Sequence, residues 1–536
     1  VRVPLSIPPG VNTDDTTFSV GDGAWANVDK VRFWRGKAQV IGGWERFSGE
    51  SLSGPCRGIH AYTDLTANLI VGFGTPTSLE LSYGGQLLDI TPVEFVPGNV
   101  DGTGGQGYGT GTYSTGEYSE PSTVDYFPLT WSLSSYGTAL VANPRNQTIF
   151  FYTAETVGPA VPLTNAPENV TYTLVVPQRQ VMAFGCNEEV SGDFNPLCIR
   201  FSDIEDPTVW TTLPSNNAGE VILEGGGRIV AARLIGDLVY VWTDSSLFRG
   251  QFIGNPDQTW RFDRVGDHCG LIGPNAAVVV SQVAYWMTPE VQFFQCSLGG
   301  APQIVQSPLQ AEVKANLPAI QTDKVFASSC SQFGEVRWDY PDLSGELLDE
   351  IELSVDGVAD LDTGDGGSLT AYAAIAAGIE NNRYVAASVL DGAWSRGHMS
   401  RTSMLDSGPG AYPIGTDYFG NIYLHERGQS ADGDVLDWSM ETADQYITDA
   451  SQFLMLKGIW PDFESQVGAV NLEVVTRKYP QATEKAHGPY VLAPGKPKKD
   501  FRATGRIARI KLSGSSAPTF VRVGKPEFES EGSGFQ

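Results

Sequence analysis

The residues of this chain that could do chemistry are few and scattered. Its five histidines (His60, His268, His398, His425 and His487) lie far apart, and none falls in an HxH or HExxH spacing that would bring two imidazoles to one metal. The six cysteines (Cys56, Cys186, Cys198, Cys269, Cys296 and Cys330) form no CxxC pair. Most sit in apolar strand contexts such as LCIRF and FFQCS, which predicts buried free thiols rather than a disulfide framework or a zinc site. His268 adjoins Cys269 in VGDHCGLIGP, but a Cys-His nucleophile pair needs spatial contact that adjacency does not supply. There is no G-x-S-x-G elbow, Walker loop or kinase signature.

One chemistry survives this filter. Glycoside hydrolysis needs only paired carboxylates facing a pocket, and acids are abundant here. Sialidase-type propellers also repeat an S-x-D-x-G-x-x-W box. The nearest fragment, VLDGAWSRG, lacks the leading Ser and has the wrong Gly-to-Trp spacing. The expectation is therefore no catalytic residue, no metal, no cofactor and no enzyme. A carbohydrate-binding or glycan-hydrolysing β-propeller stands as the alternative.

The elements that would position any site repeat. Ile229 to Phe252 reads IVAARLIGDLVYVWTDSSLFRGQF: a small-residue strand, a Gly-Asp turn, an aromatic and β-branched strand, a polar corner and a third strand. Related pieces begin near Val181, Ala276 and Phe326, about 48 residues apart, the length of one four-stranded propeller blade. Blade-like strands open near Ile59, with the next comparable set at Ala139; strand signals resume at Tyr384 and Tyr412. The fold class expected is all-β: a propeller of six or seven blades at 51–440, carrying insertions near 98–119 and 341–380. The flanking segments read differently: residues 1–50 as an arm and a few strands, and the last 95 residues as a separate sheet. In the first of them, VRFWRGKAQV predicts a hairpin turning at Arg35 and Gly36. Frequent Gly (61) and Pro (33) suit many short strands.

No run of about 18 apolar residues exists, so no membrane-spanning helix is expected. VRVPLSIPPGVN lacks the apolar core of a signal peptide, so a cytoplasmic product that has lost its initiator Met is the expectation.

Two insertions and one basic stretch break the pattern. Gly98 to Ser119, GNVDGTGGQGYGTGTYSTGEYS, has almost no aliphatic residue and cannot form a core. It is either a surface loop or a contact loop, using Tyr108, Tyr113 and Tyr118 against a neighbouring protein. Asp339 to Asp365 holds ten acidic residues and no Lys or Arg. DLDTGDGG within it departs from an EF-hand loop, because Gly364 and Asp365 occupy the fifth and sixth positions, so a solvated acidic loop is favoured over a calcium site. Between Arg477 and Lys511 there are ten basic residues against two acidic ones, in a chain of net charge −27. Lys498, Lys499, Arg502, Arg506, Arg509 and Lys511 could dock on an acidic surface of a neighbouring copy or of an adaptor. Phosphate contact is the weaker use, since no groove-reading helix or stacking motif accompanies them.

Several segments together resemble the tail nozzle group of short-tailed bacteriophages, also called tail tubular protein B or packaged-DNA stabilization protein. They include the opening VRVPLSIPPGVNTDDTTFSVGDGAWANVDKVRFWRGKAQVIGGWERFSG, then GYGTGTYSTG, FSDIEDPTVWTTLPSNNAGEVILEGGGRIVAA, HCGLIGPNAAVVV, FLMLKGIWPDFESQVGAVNLEVVTRKYP and GRIARIKL. The resemblance spans most of the chain, although none of these phrases is a catalytic signature. It implies a structural protein of the virion tail, assembled in the host bacterial cytoplasm. It implies a homohexameric ring below the adaptor and portal, each subunit a β-propeller joined to a platform formed by 1–50 and 441–536. Its partners would be other copies of itself, the adaptor or portal-proximal tail protein, and a tail fibre or tailspike. Genomic double-stranded DNA would be retained and later pass through the lumen without sequence-specific binding. The loop at 98–119 is then a candidate for the gate or for a fibre dock. The acidic insertion at 341–367 matches nothing in the group.

Overall fold

The computed structural model describes all residues except 1, 6, 17–24, 104–126, 155–157, 256–257, 345–377, 409, 447–452, 515 and 533–536. Seven four-stranded antiparallel sheets make up a propeller. Their first strands are Gly58–Thr63, Trp131–Tyr136, Tyr172–Val176, Ile229–Ile235, Ala277–Val280, Phe326–Cys330 and Ser403–Leu405. Each of these strands packs against the next, and the last packs against the first, so they form a closed inner ring. The count expected from sequence, six or seven, resolves to seven. Blade two opens at Trp131, ahead of the strand set expected from Ala139. The strand Asn381–Ser388 is the third strand of blade six.

Local chemistry explains the repeat. In blade four, Gly236 and Asp237 turn the chain between Ile229–Ile235 and Leu238–Thr243, with Gly236 at φ 60°. The second strands of blades four, five and six each bury a tryptophan: Trp242, Trp286 and Trp338. Trp242 meets Trp286 edge-on at 5.5 Å, and Phe293 bridges Trp338 and Trp394 at 4.8 and 4.7 Å. Blades that cannot cover their own faces are joined by these rings, each hiding about 150–250 Å².

Blade seven has only three strands of its own. Its fourth is Trp44–Arg46, which pairs with Ile422–His425 in the register His425↔Trp44, Leu424↔Glu45 and Tyr423↔Arg46. The N-terminal segment therefore closes the ring, and the propeller extends from Trp44 rather than from residue 51. Gly43 makes this seam possible: a Cβ there would lie 2.4 Å from the Ser430 carbonyl oxygen.

The flanking segments interleave into three sheets. Arg2–Pro4 pairs with Glu527–Gly532, beside Leu454–Trp460 and Lys499–Gly505. Trp25–Asp29 joins Trp438–Thr442, Ile507–Gly514, Val470–Arg477 and Lys485–Leu492. The predicted hairpin is Val31–Trp34 and Lys37–Val40, with Arg35 and Gly36 both at positive φ, and it pairs with Phe520–Val523. Three sheets thus replace the separate sheet expected of the last 95 residues, and the platform resumes at Trp438.

The platform is fixed to blade six. Trp25–Asp29 and Val31–Trp34 pack on its outer strand, Trp394–His398. Arg32 is buried between Glu335 (3.1 Å) of blade six and Glu426 of blade seven, its guanidinium 3.9 Å above the Phe333 ring. The Asp29 carboxylate accepts the His398 backbone N–H at 2.7 Å. Charge divides along the same line. Residues 1–43 and 438–536 hold 18 Lys and Arg against 15 Asp and Glu, while 44–437 hold 17 against 47, giving net charges of +3 and −30.

Candidate functional site at the propeller axis

In an up-and-down four-stranded blade, the link between strands two and three lies at the same end as the link to the next blade. Residues 104–126 fall in the connection from blade one to blade two, and 345–377 fall between strands two and three of blade six. Both insertions therefore leave from one end of the propeller. The described stems on either side of them meet there.

The meeting point is a buried ionic cluster. Arg57 stands just ahead of the first strand of blade one, Lys324 just ahead of that of blade six, and Glu380 at the returning stem of the second insertion. Arg57 grips Glu380 with two nitrogens, at 2.9 and 2.5 Å. The Lys324 ammonium donates to Asp101 (2.6 Å) on the outgoing stem of the first insertion and to the Ile379 carbonyl (2.5 Å) on the second. It also lies 3.4 Å from Glu380. Burial would raise the Glu380 carboxyl, but the charges of Arg57 and Lys324 outweigh it and hold it at about 2. Burial pulls the Lys324 ammonium below its usual range, against the opposing pull of Glu380. Two cations and two carboxylates balance.

The cluster sits over the axis. The Asn275 side chain of blade five donates to the Arg57 carbonyl at 2.9 Å, although blades one and five are not neighbours in a ring of seven. Arg145 of blade two likewise pairs with Asp323, ahead of blade six, at 3.2 Å. Phe127, where the first insertion returns, lies under Arg145 (4.2 Å) and Arg228 (4.6 Å). Burial, then the neighbouring Arg145 charge, lowers the Arg228 guanidinium. Gly102 exchanges two 3.0 Å hydrogen bonds with the Gln321 side chain. A Cβ at Gly102 would meet the Ile320 oxygen at 2.2 Å. The second stem is pinned similarly: the Asp342 backbone donates to and accepts from the Asn382 side chain at 2.8 and 3.1 Å. Among the described residues, salt bridges and hydrogen bonds span this end of the axis.

A second charged cluster lies where Arg32 enters. Arg401 Nε donates to His425 Nε2 at 2.8 Å. Burial, then the nearby Arg401, Arg337 and Arg32 charges, hold His425 well below the usual histidine range, so it is a neutral acceptor. Neither cluster was predicted from sequence, because its members lie tens to hundreds of positions apart. One signal did exist: Lys324 is one of only two lysines between 44 and 437.

The expected site residues fare differently. Tyr108, Tyr113 and Tyr118 lie outside the described residues, as does the DLDTGDGG segment. Two members of the basic stretch are neutralised within the subunit. Lys498 bonds Asp500 (2.8 Å) and Glu529 (2.6 Å). Arg509 bonds Glu441 and Glu484, each at 2.6 Å, and Arg477 shares Glu484. Arg506 is half-buried, 4.6 Å over the Phe453 ring. Lys511 is half-buried on the face that carries Arg509, Lys499 opens its strand half-buried, and Arg502 is exposed. The six do not form one face, as strand alternation requires.

For glycan chemistry, a cleft of about 390 Å³ between the outer strands of blades three and four offers Glu220 and Asp263. Glu220 already accepts the Glu189 N–H at 2.6 Å, and Asp263 is paired with Arg261 at 3.0 Å. Trp260 beside them is buried, with its indole N–H on Gln180 at 3.0 Å. All six cysteines are free and buried. Among the described residues no group of three or more His, Cys, Asp or Glu is placed to hold a metal ion. Among them, too, no helix is long and apolar enough to cross a membrane.

No family model matches the chain, and no curated protein matches it. Among solved structures it is similar to the computationally designed Ika8 protein, at 12% identity and a TM-score of 0.37 over 78% of this chain and 99% of that one. It is also similar to streptogramin B lyase, at 10% identity and a TM-score of 0.37 over 71% of this chain and 96% of that one. At these values neither likeness bears on function.

Proposed function

We propose that this chain is a structural protein of a bacteriophage tail, a nozzle subunit that assembles as a homohexameric ring, retains the packaged genome and conducts DNA during ejection. The extended sequence resemblance is the source of the reading. The observation that carries it further is the build of the subunit. Both flanking segments are interleaved into a platform, the platform is locked to blade six through Arg32, and the described stems of both insertions meet at one end of the propeller. Such a body transmits force between a docking end and a loop-bearing end. The salt bridges that span that end of each propeller axis favour passage of DNA between subunits. The net charge of −30 on 44–437 favours a lumen that repels phosphate and leaves DNA mobile. No enzymatic step is part of the reading, and the platform would face the adaptor while the insertions reach toward the fibre.

Immunogold labelling of purified virions, with sixfold averaging of isolated tails, tests this. Label at the tail and six copies of the subunit around a channel are expected. Virions that lack the chain, or release of reducing sugar from bacterial surface glycan by the purified protein, contradict it.

A further inference from the structure

Among the described residues the strands Lys485–Leu492 and Lys499–Gly505 pair with no further strand on their outer sides. Each of these strands is the free edge of its sheet, and the two edges touch. Lys485–Leu492 is exposed on both faces along most of its length, leaving Val491 half-exposed, and Tyr479 in the preceding turn is 60% exposed. Around them stand Lys478, Lys485, Lys496, Lys499 and Arg502. Among the described residues none of these five forms an ion pair, whereas nearby Lys498, Arg477 and Arg509 all do.

An open strand edge is a template for another chain, and lysines beside it prevent pairing with a like-charged edge. Two copies of this surface repel each other. The complement present at the same concentration is the propeller of another copy, which carries the net charge of −30. Duplex DNA is a poorer fit, because 44–437 of the same molecule would repel it. We infer that this basic platform edge is a heterologous docking surface for the acidic propeller of a second copy of this chain. Unlike surfaces joined head to tail propagate around an axis and close into a ring when the rotation permits. The inference rests on the ring reading above and supplies its contact.

The test uses the full chain and a Lys485→Glu/Lys499→Glu/Arg502→Glu variant, in sedimentation velocity at 50 and 500 mM salt. These side chains are exposed or half-buried, so thermal unfolding of the variant should match that of the wild type. Wild-type self-association at 50 mM salt, weakened at least tenfold by 500 mM salt and by the triple change, is expected. A mixture of ¹⁴N- and ¹⁵N-labelled subunits treated with a carbodiimide should give mixed-isotope amide cross-links between these platform lysines and carboxylates of 44–437. Unchanged assembly of the variant, cross-links confined to single subunits, or a wild type that stays monomeric overturns the inference. So does duplex DNA binding that the triple change abolishes, which would make the edge a phosphate surface. Rings that persist in the variant remove this contact and keep the nozzle reading. Absence of the chain from virions removes that reading and leaves self-association measurable.

Discussion

Arg57 and Glu380 stand 323 positions apart and meet as a two-pronged ion pair, at 2.9 and 2.5 Å, with the two side chains only 2% and 0% exposed. Through Lys324 the pair also holds Asp101, so the stems of both insertions are tied to one point over the propeller axis.

Removing one charge from this cluster should be costly. Glu380→Gln leaves Arg57 and Lys324 buried without their shared carboxylate, and a loss of about 3–5 kcal/mol is expected. Replacing the pair by apolar residues, Arg57→Met with Glu380→Leu, should recover part of it. Urea unfolding followed by tryptophan fluorescence checks both.

Acid should weaken the fold in two stages. His425 is held well below the usual histidine value of 6.5, so its contribution to stability is full above pH 6.5 and declines below it, as the unfolded chain takes up the proton that the folded chain refuses. Glu380 is held at about 2, against 4.5 unperturbed, so its contribution is present above pH 4.5 and is lost as pH falls toward 2. Calorimetry across pH 3–8 should show both declines. His425→Gln should shrink the upper one, leaving the share of His60, which burial holds at about 4, and should leave the lower unchanged.

Ring closure depends on a strand that the chain supplies before any blade. Gly43→Ala forces a methyl group onto the Ser430 backbone and should cost about 1–3 kcal/mol. Limited proteolysis of this variant should cut first within 399–437, where blade seven loses its fourth strand.

The thiols should be silent in the folded protein. Burial pushes Cys269 and Cys330 up to about 12, and all six cysteines are buried. Ellman's reagent should react slowly with the native chain and titrate six thiols in guanidinium chloride.

Much of the propeller was legible because its signals are local. The Gly236–Asp237 and Arg35–Gly36 turns need positive φ, which their sequences allow, and strands on either side alternate or run apolar. The closing strand was not legible. Trp44–Arg46 has three residues, and its partner Ile422–His425 lies near the far end of the chain. The opening of blade two precedes its sequence signal because WSLSSY is rich in serine, and burial of Trp131 against Phe95 replaces the missing aliphatic residues. The axial cluster follows from closure of the ring, which no local spacing reports. The pairing of Arg509 was not legible because Glu441 and Asp444 approach it from a segment more than 60 positions away.

Electron microscopy of the purified full-length chain at low salt tests the central proposal most directly. Rings of six copies around an open channel, with platforms at one end, are predicted. Particles that remain single propellers at every concentration and salt, together with virions free of the chain, would contradict it.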